Sequence, residues 1–339
     1  IGNIKIQPFV SKAFSTDSQE NMDDSDHTVL TAITKINPSV LQIGMREMLS
    51  FPIINGLEGE AGLQQIWYDY NLGNPSVSYS EDRLGTTTSS FPNHSKNVLL
   101  LGFGEFYWNI ANCVQGAVGL RVNHYISSHI KHWNLDPRLN IKINLPYKSS
   151  LSIGYSRMTQ YAQQVSSNYM YLPSDAWFPT ASYNKPLLCD IYSIGYFKRF
   201  KHAFNIKAEL WWKNMRNMTE YKTNTRITTT MLPWYEKMTF GKGCAYGLDL
   251  EMVGSFKSLH WNVAYGLMWN WRQFNDINSG KRYPAKFDNR NKFDITIGWN
   301  INDKIELTGQ WEYMTGNRAT LSLYNVAPSD VAFPDAPFV

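Results

Sequence analysis

Apolar and polar residues alternate with a period of two along most of this chain, and helical spacing is nearly absent. Between Lys304 and Met314, Ile305, Leu307, Gly309, Trp311 and Tyr313 fall on one side. Glu306, Thr308, Gln310 and Glu312 fall on the other. The same grammar sets Phe293, Ile295, Ile297 and Trp299 against Asp294, Thr296, Gly298 and Asn300. Phe204, Ile206, Ala208 and Leu210 oppose Asn205, Lys207 and Glu209. A two-residue alternation places such sets on opposite faces of a sheet. Runs bounded by breakers predict about thirteen strands, at 3–10, 27–34, 39–49, 98–108, 114–124, 137–144, 151–160, 188–197, 203–213, 241–254, 259–270, 291–300 and 303–314.

The connections between these runs decide the architecture. Short ones (35–38, 109–112, 145–148, 200–202, 255–258 and 301–302) alternate with long ones at 11–26, 50–97, 125–136, 161–187, 214–240, 271–290 and 315–339. This puts the tight turns at one end of an antiparallel meander and the large loops at the other. A transmembrane β-barrel has that asymmetry, with an apolar outside and a polar inside. A propeller or sandwich lacks the end-to-end bias and has shorter strands. Aromatics near strand ends (Trp108, Tyr155, Trp211, Trp212, Trp269, Trp299, Trp311, Tyr313) fit an interfacial girdle. The acids Glu209, Asp249, Glu251, Asp294, Glu306 and Glu312 are expected to face a wet lumen. Single-chain bacterial barrels close with an even strand number, so thirteen strands point to a larger parent, with 1–339 a partial barrel domain.

Composition narrows the class without changing it. Charged residues make up 18% of the chain and aromatic residues 14%, which excludes a disordered chain. No apolar run approaches the length of a spanning helix. A net charge of +4 implies no polyanion-binding face and no nucleic-acid partner. Three scattered cysteines make neither a disulfide framework nor a zinc motif. No targeting signal can be read at Ile1.

Several segments are similar to a known family. Asp136-Pro-Arg-Leu-Asn-Ile-Lys-Ile-Asn144 followed by Leu151-Ser-Ile-Gly-Tyr-Ser-Arg-Met-Thr-Gln-Tyr161 resembles the mid-to-late barrel of TonB-dependent outer-membrane receptors. The likeness is to the group with an N-terminal carboxypeptidase-regulatory-like domain. Tyr192-Ser-Ile-Gly-Tyr196, Gly241-Lys-Gly-Cys-Ala-Tyr-Gly-Leu-Asp-Leu-Glu251, the loop Ile277–Arg290 and Asn37-Pro-Ser-Val-Leu-Gln-Ile-Gly44 extend it over residues 27–322. Nothing matches the family's plug, its TonB box or its final aromatic-ended strands. The resemblance implies a 22-stranded barrel in the cell outer membrane, which captures a nutrient at the surface and imports it with energy from TonB. The partners it implies are TonB and its inner-membrane energising complex (through the missing plug region), outer-membrane lipid, a small nutrient ligand and a surface lipoprotein. The rival readings are a passive porin-like channel, a barrel enzyme and an adhesin. A plug encoded upstream separates transporter from porin.

For catalysis the chain offers no nucleophile–base pair in a recognisable context, so no enzyme and no cofactor are expected. His124, His129 and His132 with Asp136 crowd one connection, yet their spacing matches no metal motif, and solvated loop histidines are expected. The large loops are rich in aromatics. Trp177, Tyr183, Trp234, Trp271, Arg272 and Tyr283 are the ligand-binding candidates, suited to stacking on a chelate, a sugar or a cobalamin-like ring. Loop self-packing is the competing explanation for each. The basic stretch 272–292 fits an anionic ligand or anionic outer-leaflet lipid equally. Strand glycines (Gly44, Gly119, Gly154, Gly195, Gly247, Gly266, Gly298) fit a plug lying close, or relief of crowding on a curved sheet.

Overall fold

The computed structural model describes residues 2–14, 17–23, 30–73, 76–79, 86–88, 94–110, 113–128, 130–165, 176–200, 204–222 and 233–318. Side chains are described for these except at 17–23, 30–36, 76–79, 86–88, 176 and 234. Thirteen strands form one antiparallel sheet in which each neighbours the next. They are β1 (Asn3–Phe14), β2 (Ser39–Ile54), β3 (Leu57–Asn71), β4 (His94–Ile110), β5 (Val114–Ile126), β6 (Lys131–Leu145) and β7 (Ser149–Gln160). The meander continues through β8 (Leu187–Arg199), β9 (Phe204–Tyr221), β10 (Met238–Phe256), β11 (Leu259–Phe274), β12 (Asn291–Asn302) and β13 (Ile305–Met314). Tyr283–Pro284 adds a two-residue strand to β11. Among the described residues β1 and β13 are paired on one side only, so the sheet is open.

Connections of two to four residues lie at one end: 55–56, 111–113, 146–148, 200–203, 257–258 and 303–304. Gly56 takes φ +80°, the left-handed conformation a two-residue hairpin favours. At the other end lie 15–38, 72–93, 127–130, 161–186, 222–237 and 275–290. Two corrections follow. The expected strand 27–34 is not in the barrel sheet, because Leu30–Ile36 pairs with Asp17–Asp23 and Ser76–Tyr79 in a separate four-stranded sheet. Its place is taken by β3, inside what reads as the long loop 50–97. The expected loop 125–136 shrinks to four residues as β5 and β6 continue pairing from Ile126 to Lys131.

The registers fix the faces strand by strand. Ile153, Ile194, Leu210, Leu248 and Leu267 lie in one row, and the row two residues further on is Tyr155, Tyr192, Trp212, Tyr246 and Trp269. These five aromatics come from five consecutive strands, with ring centroids 5.0 Å apart for Tyr155–Tyr192, 5.5 Å for Trp212–Tyr246 and 5.4 Å for Tyr246–Trp269. On β10 the next outward aromatic is Phe256, and only Leu248, Leu250, Met252 and Gly254 lie between on that face. At about 3.3 Å per residue and a tilt of about 40°, that stretch spans about 25 Å, the height of a lipid-facing band. The outward residues of β8 to β13 between their aromatics are uncharged. On β2, Glu47 breaks the band between Ile6 and Leu63.

The opposite face is polar. Glu209 and Asp249 share one row there, and Glu251, Asp294 and Glu312 share another, the last two both bonded to Lys292. Trp211, expected in the girdle, is on this inner face, where its Nε1 donates to Asp249 Oδ2 at 2.9 Å. Several inner-face glycines have a local cause: an aromatic ring from the neighbouring strand lies across them. Phe9 covers Gly44, Phe274 covers Gly241 and Trp211 covers Gly247, whereas Gly119, Gly154, Gly195 and Gly266 meet polar or charged side chains instead. A Cβ at Gly247 would press into the Leu267 carbonyl and sit 2.8 Å from the Trp211 ring. Gly247→Val is therefore expected to cost about 1–3 kcal/mol in urea unfolding from vesicles. Gly104→Val, where nothing lies within 4 Å, is the control and should be near neutral.

Candidate functional site

Toward the end bearing the large connections, the inner face turns apolar. Ile66, Leu99, Leu101, Tyr125 and Tyr161 form one buried cluster, with Phe9, Tyr68 and Ile130 against it. Over this cluster folds a short hairpin, Ala162–Val165 paired with Ala176–Pro179. Its base is pinned twice: Thr180 N donates to the Tyr161 carbonyl at 2.7 Å, and the Tyr125 hydroxyl donates to the Thr180 carbonyl at 2.9 Å. Its other side, through Val165 and Phe178, packs with Leu72 after β3, Tyr221 at the end of β9 and Met238 at the start of β10. One hairpin thus ties the third strand to the ninth and tenth across the inner face.

A bulge in β9 prepares its seat. Between Arg216 and Met218 the register slips by one residue, with Asn217 at φ 61°, a conformation Asn tolerates. Gln163 of the hairpin donates to the Asn217 carbonyl at 2.8 Å and accepts from Thr219 N at 2.9 Å. A one-residue slip reverses every side chain beyond it. Arg216 therefore points outward, whereas Glu220 points inward and receives Arg272 Nη1 together with the Tyr283 hydroxyl, the latter at 2.6 Å. Burial, then the Glu220 carboxylate, hold the Tyr283 phenol well above its ordinary pKa.

Beneath the hairpin lies a cavity of about 350 Å³ lined by twelve residues, none of them charged. Tyr68, Tyr70, Tyr161 and Trp177 supply aromatic surface, and Gln42 and Gln160 supply amides. Further from the mouth the inner wall becomes ionic. Arg121, Asp136 and Arg138 line a second cavity of about 250 Å³. Arg138 pairs with Glu105 at 3.3 Å, and Asp136 accepts from Asn123 at 2.6 Å and from the Thr159 hydroxyl at 2.5 Å.

The six sequence candidates do not converge. Trp177 lines the hairpin-capped cavity. Arg272 and Tyr283 meet at Glu220. Tyr183 follows the hairpin, its ring 5.8 Å from that of Tyr235, and burial pushes its phenol up to about 12. Trp271 is on the outer face, with the Arg282 guanidinium 4.8 Å above its ring. Trp234 opens a 3-10 turn, and its side chain lies outside the described residues. Tyr68, Tyr70, Tyr161 and Gln163 were missed; the same-face pair Tyr68 and Tyr70 was the available signal. The expected histidine cluster separates: His124 stacks on Trp133 outside, His132 is on the other face, and His129 lies outside the described residues. Among the described residues no three His, Cys, Asp or Glu side chains are placed to hold a metal.

No family model and no curated protein matches the sequence. Solved structures do match. The ferripyoverdine receptor of the outer membrane of Pseudomonas aeruginosa, bound to ferripyoverdine, aligns with TM-score 0.61 and 12% identity over 92% of this chain and 43% of the receptor. The ferric-catecholate import receptor Fiu of E. coli K12 aligns at 0.59 and 11%, over 92% and 51%. The FrpB iron transporter of Neisseria meningitidis aligns at 0.58 and 9%, over 91% and 51%. The fold is that of a TonB-dependent receptor barrel. The chain spans about half the length of each receptor. Those proteins are outer-membrane receptors and transporters, not enzymes.

Proposed function

We propose that this chain forms the larger part of the barrel of an outer-membrane receptor that takes up a small nutrient with energy delivered by TonB. The observation that carries the reading is the cavity on the inner face, capped by a hairpin at the end where barrels of this kind carry their large extracellular loops. Around it the outer face carries a lipid-facing band of about 25 Å. Unpaired strand edges are not viable in lipid. The free edges of β1 and β13 therefore support closure by further strands, for which 22 in total is the family number. A barrel of that width requires a plug, and the plug is where TonB would act. Among the described residues none forms one.

The lining suits a ligand with flat or ring-shaped apolar surface, held by stacking and by uncharged amides. Of the aromatic residues in that lining, Trp177 is the exposed one. In the full-length receptor, Trp177→Ala is expected to weaken surface binding roughly tenfold or more while the barrel folds normally, as for a central aromatic contact. Equilibrium binding to intact cells measures it. Uptake is expected to stop, with binding spared, when TonB is deleted or the proton gradient collapsed. Uptake that persists under both treatments replaces this reading with the passive channel.

A further inference from the structure

Just beyond the aromatic row, on the outer face, the side chains become cationic. In the next row Arg157 of β7 is paired with Asp190 of β8. Arg157 Nε donates to Asp190 Oδ1 at 2.7 Å and its Nη2 to Oδ2 at 3.2 Å. Arg216 Nη2 reaches the same Oδ2 at 2.8 Å, and the Tyr155 hydroxyl donates to Oδ1 at 3.0 Å. Asp190 is buried, its side chain 6% exposed, and is fully engaged; the two arginines remain 34% and 46% exposed. One carboxylate thus holds two guanidinium groups in place while cancelling only one of their charges.

On the far side of Arg216, the directly opposing residue of β10 is the exposed Lys242. Like charges directly opposite across an antiparallel pair are destabilising unless an anion lies between them. One strand further, Arg282 is held over the Trp271 ring, and Trp271 pairs with Cys244, two residues along from Lys242. Four cations from neighbouring elements therefore sit above an unbroken aromatic row, and Asp190 is bonded to two of them, Arg157 and Arg216.

We propose that Arg157, Arg216, Lys242 and Arg282 bind the phosphate groups of an anionic glycolipid of the outer leaflet. The inference rests on the outer-membrane reading, since it takes the aromatic row as the level where acyl chains meet headgroups. Trp212, Tyr246 and Trp269 present flat apolar surface to the first methylenes of the lipid, and the cations stand at the height of its phosphates. Arginine forks favour phosphate over weaker anions because two parallel N–H groups match two phosphate oxygens. The bulge at Asn217 places this site. It keeps Arg216 outward while sending Glu220, an acid that would repel the lipid, to the inner face.

The test uses the full-length protein reconstituted in phosphatidylcholine nanodiscs doped with bisphosphorylated lipid A, with its dephosphorylated form, or with neither plus inorganic phosphate. Bound lipid is counted by native mass spectrometry. Wild type is expected to retain bisphosphorylated lipid A. The Arg216→Gln, Lys242→Gln double variant should lose about tenfold in affinity, given the worth of each cation near an anionic membrane surface. A second variant, Lys198→Gln, removes an outward-facing cation from the opposite end of β8 and should change nothing. Equal retention of the dephosphorylated lipid, equal retention by the double variant, or displacement by inorganic phosphate alone would each overturn the assignment. TonB-dependent uptake by the double variant is measured alongside: if uptake is intact but lipid retention unchanged, the lipid site fails and the receptor reading stands. Loss of TonB dependence in wild type sinks the receptor reading itself.

Discussion

Lysine in place of Leu250 is expected to destabilise the barrel by about 2–4 kcal/mol, whereas lysine at Val253, three residues along the same strand, should cost little. Leu250 faces outward, paired with Ala208 and Tyr265, midway between Tyr246 and Phe256. An ammonium there sits near the middle of the hydrocarbon, too far from either headgroup layer for its four-carbon stem to reach water without distortion. Val253 is on the inner face between Asn205 and Asn262, where the lumen is wet. Both substitutions place the same side chain and the same charge on β10, so side-chain direction is the main variable that differs. Folding into short-chain vesicles with urea titration reads both. Equal costs would mean that the two faces have been assigned wrongly, and the band of about 25 Å with them.

That contrast was legible in the sequence because the outer face is chemically simple. Lipid tolerates little except apolar and aromatic groups, so each outward position announces itself, as Ile305, Leu307 and Trp311 do against Glu306, Gln310 and Glu312. β3 was not legible because its alternation reverses partway along. Its outward set includes Gly59, Ala61, Gln65 and Asp69, whereas Ile66, Tyr68 and Tyr70 point inward to pack under the hairpin. A strand with an apolar inner end and small outer residues gives no clean period of two. The site itself lies in that blind region. Gln163 and Tyr161 belong to a connection with no period to read. The bulge at Asn217, which decides whether Glu220 faces lipid or lumen, depends on a positive φ that many Asn residues never adopt.

Replacing Tyr125 by alanine is expected to release the hairpin at the mouth at a local cost of about 3–5 kcal/mol, the cost of emptying a buried aromatic site. Tyr125 is 0% exposed, at the centre of the cluster formed with Ile66, Leu99, Leu101 and Tyr161. Its ring stacks on Tyr161 at 4.7 Å, and its hydroxyl holds the Thr180 carbonyl that closes the base of the hairpin. Tyr125→Phe keeps the ring and leaves that carbonyl without the donor, so about 1–3 kcal/mol is expected. The graded pair separates packing from hydrogen bonding. The measurement is hydrogen exchange at Thr180, whose N–H bonds Tyr161, together with proteolysis of the segment 162–179 in the folded barrel. Strand pairing on either side of Tyr125 is made by the backbone of β4 and β6, so barrel folding in vesicles should survive both changes. An opened hairpin uncovers the cavity that Trp177 lines, and ligand binding should fall with exchange protection across the two variants in the same order. Unchanged protection at Thr180 in Tyr125→Ala would mean that the hairpin is held from its far side alone, through Phe178, Tyr221 and Met238. The binding cavity would then owe its closure to β9 and β10 rather than to the tyrosine cluster.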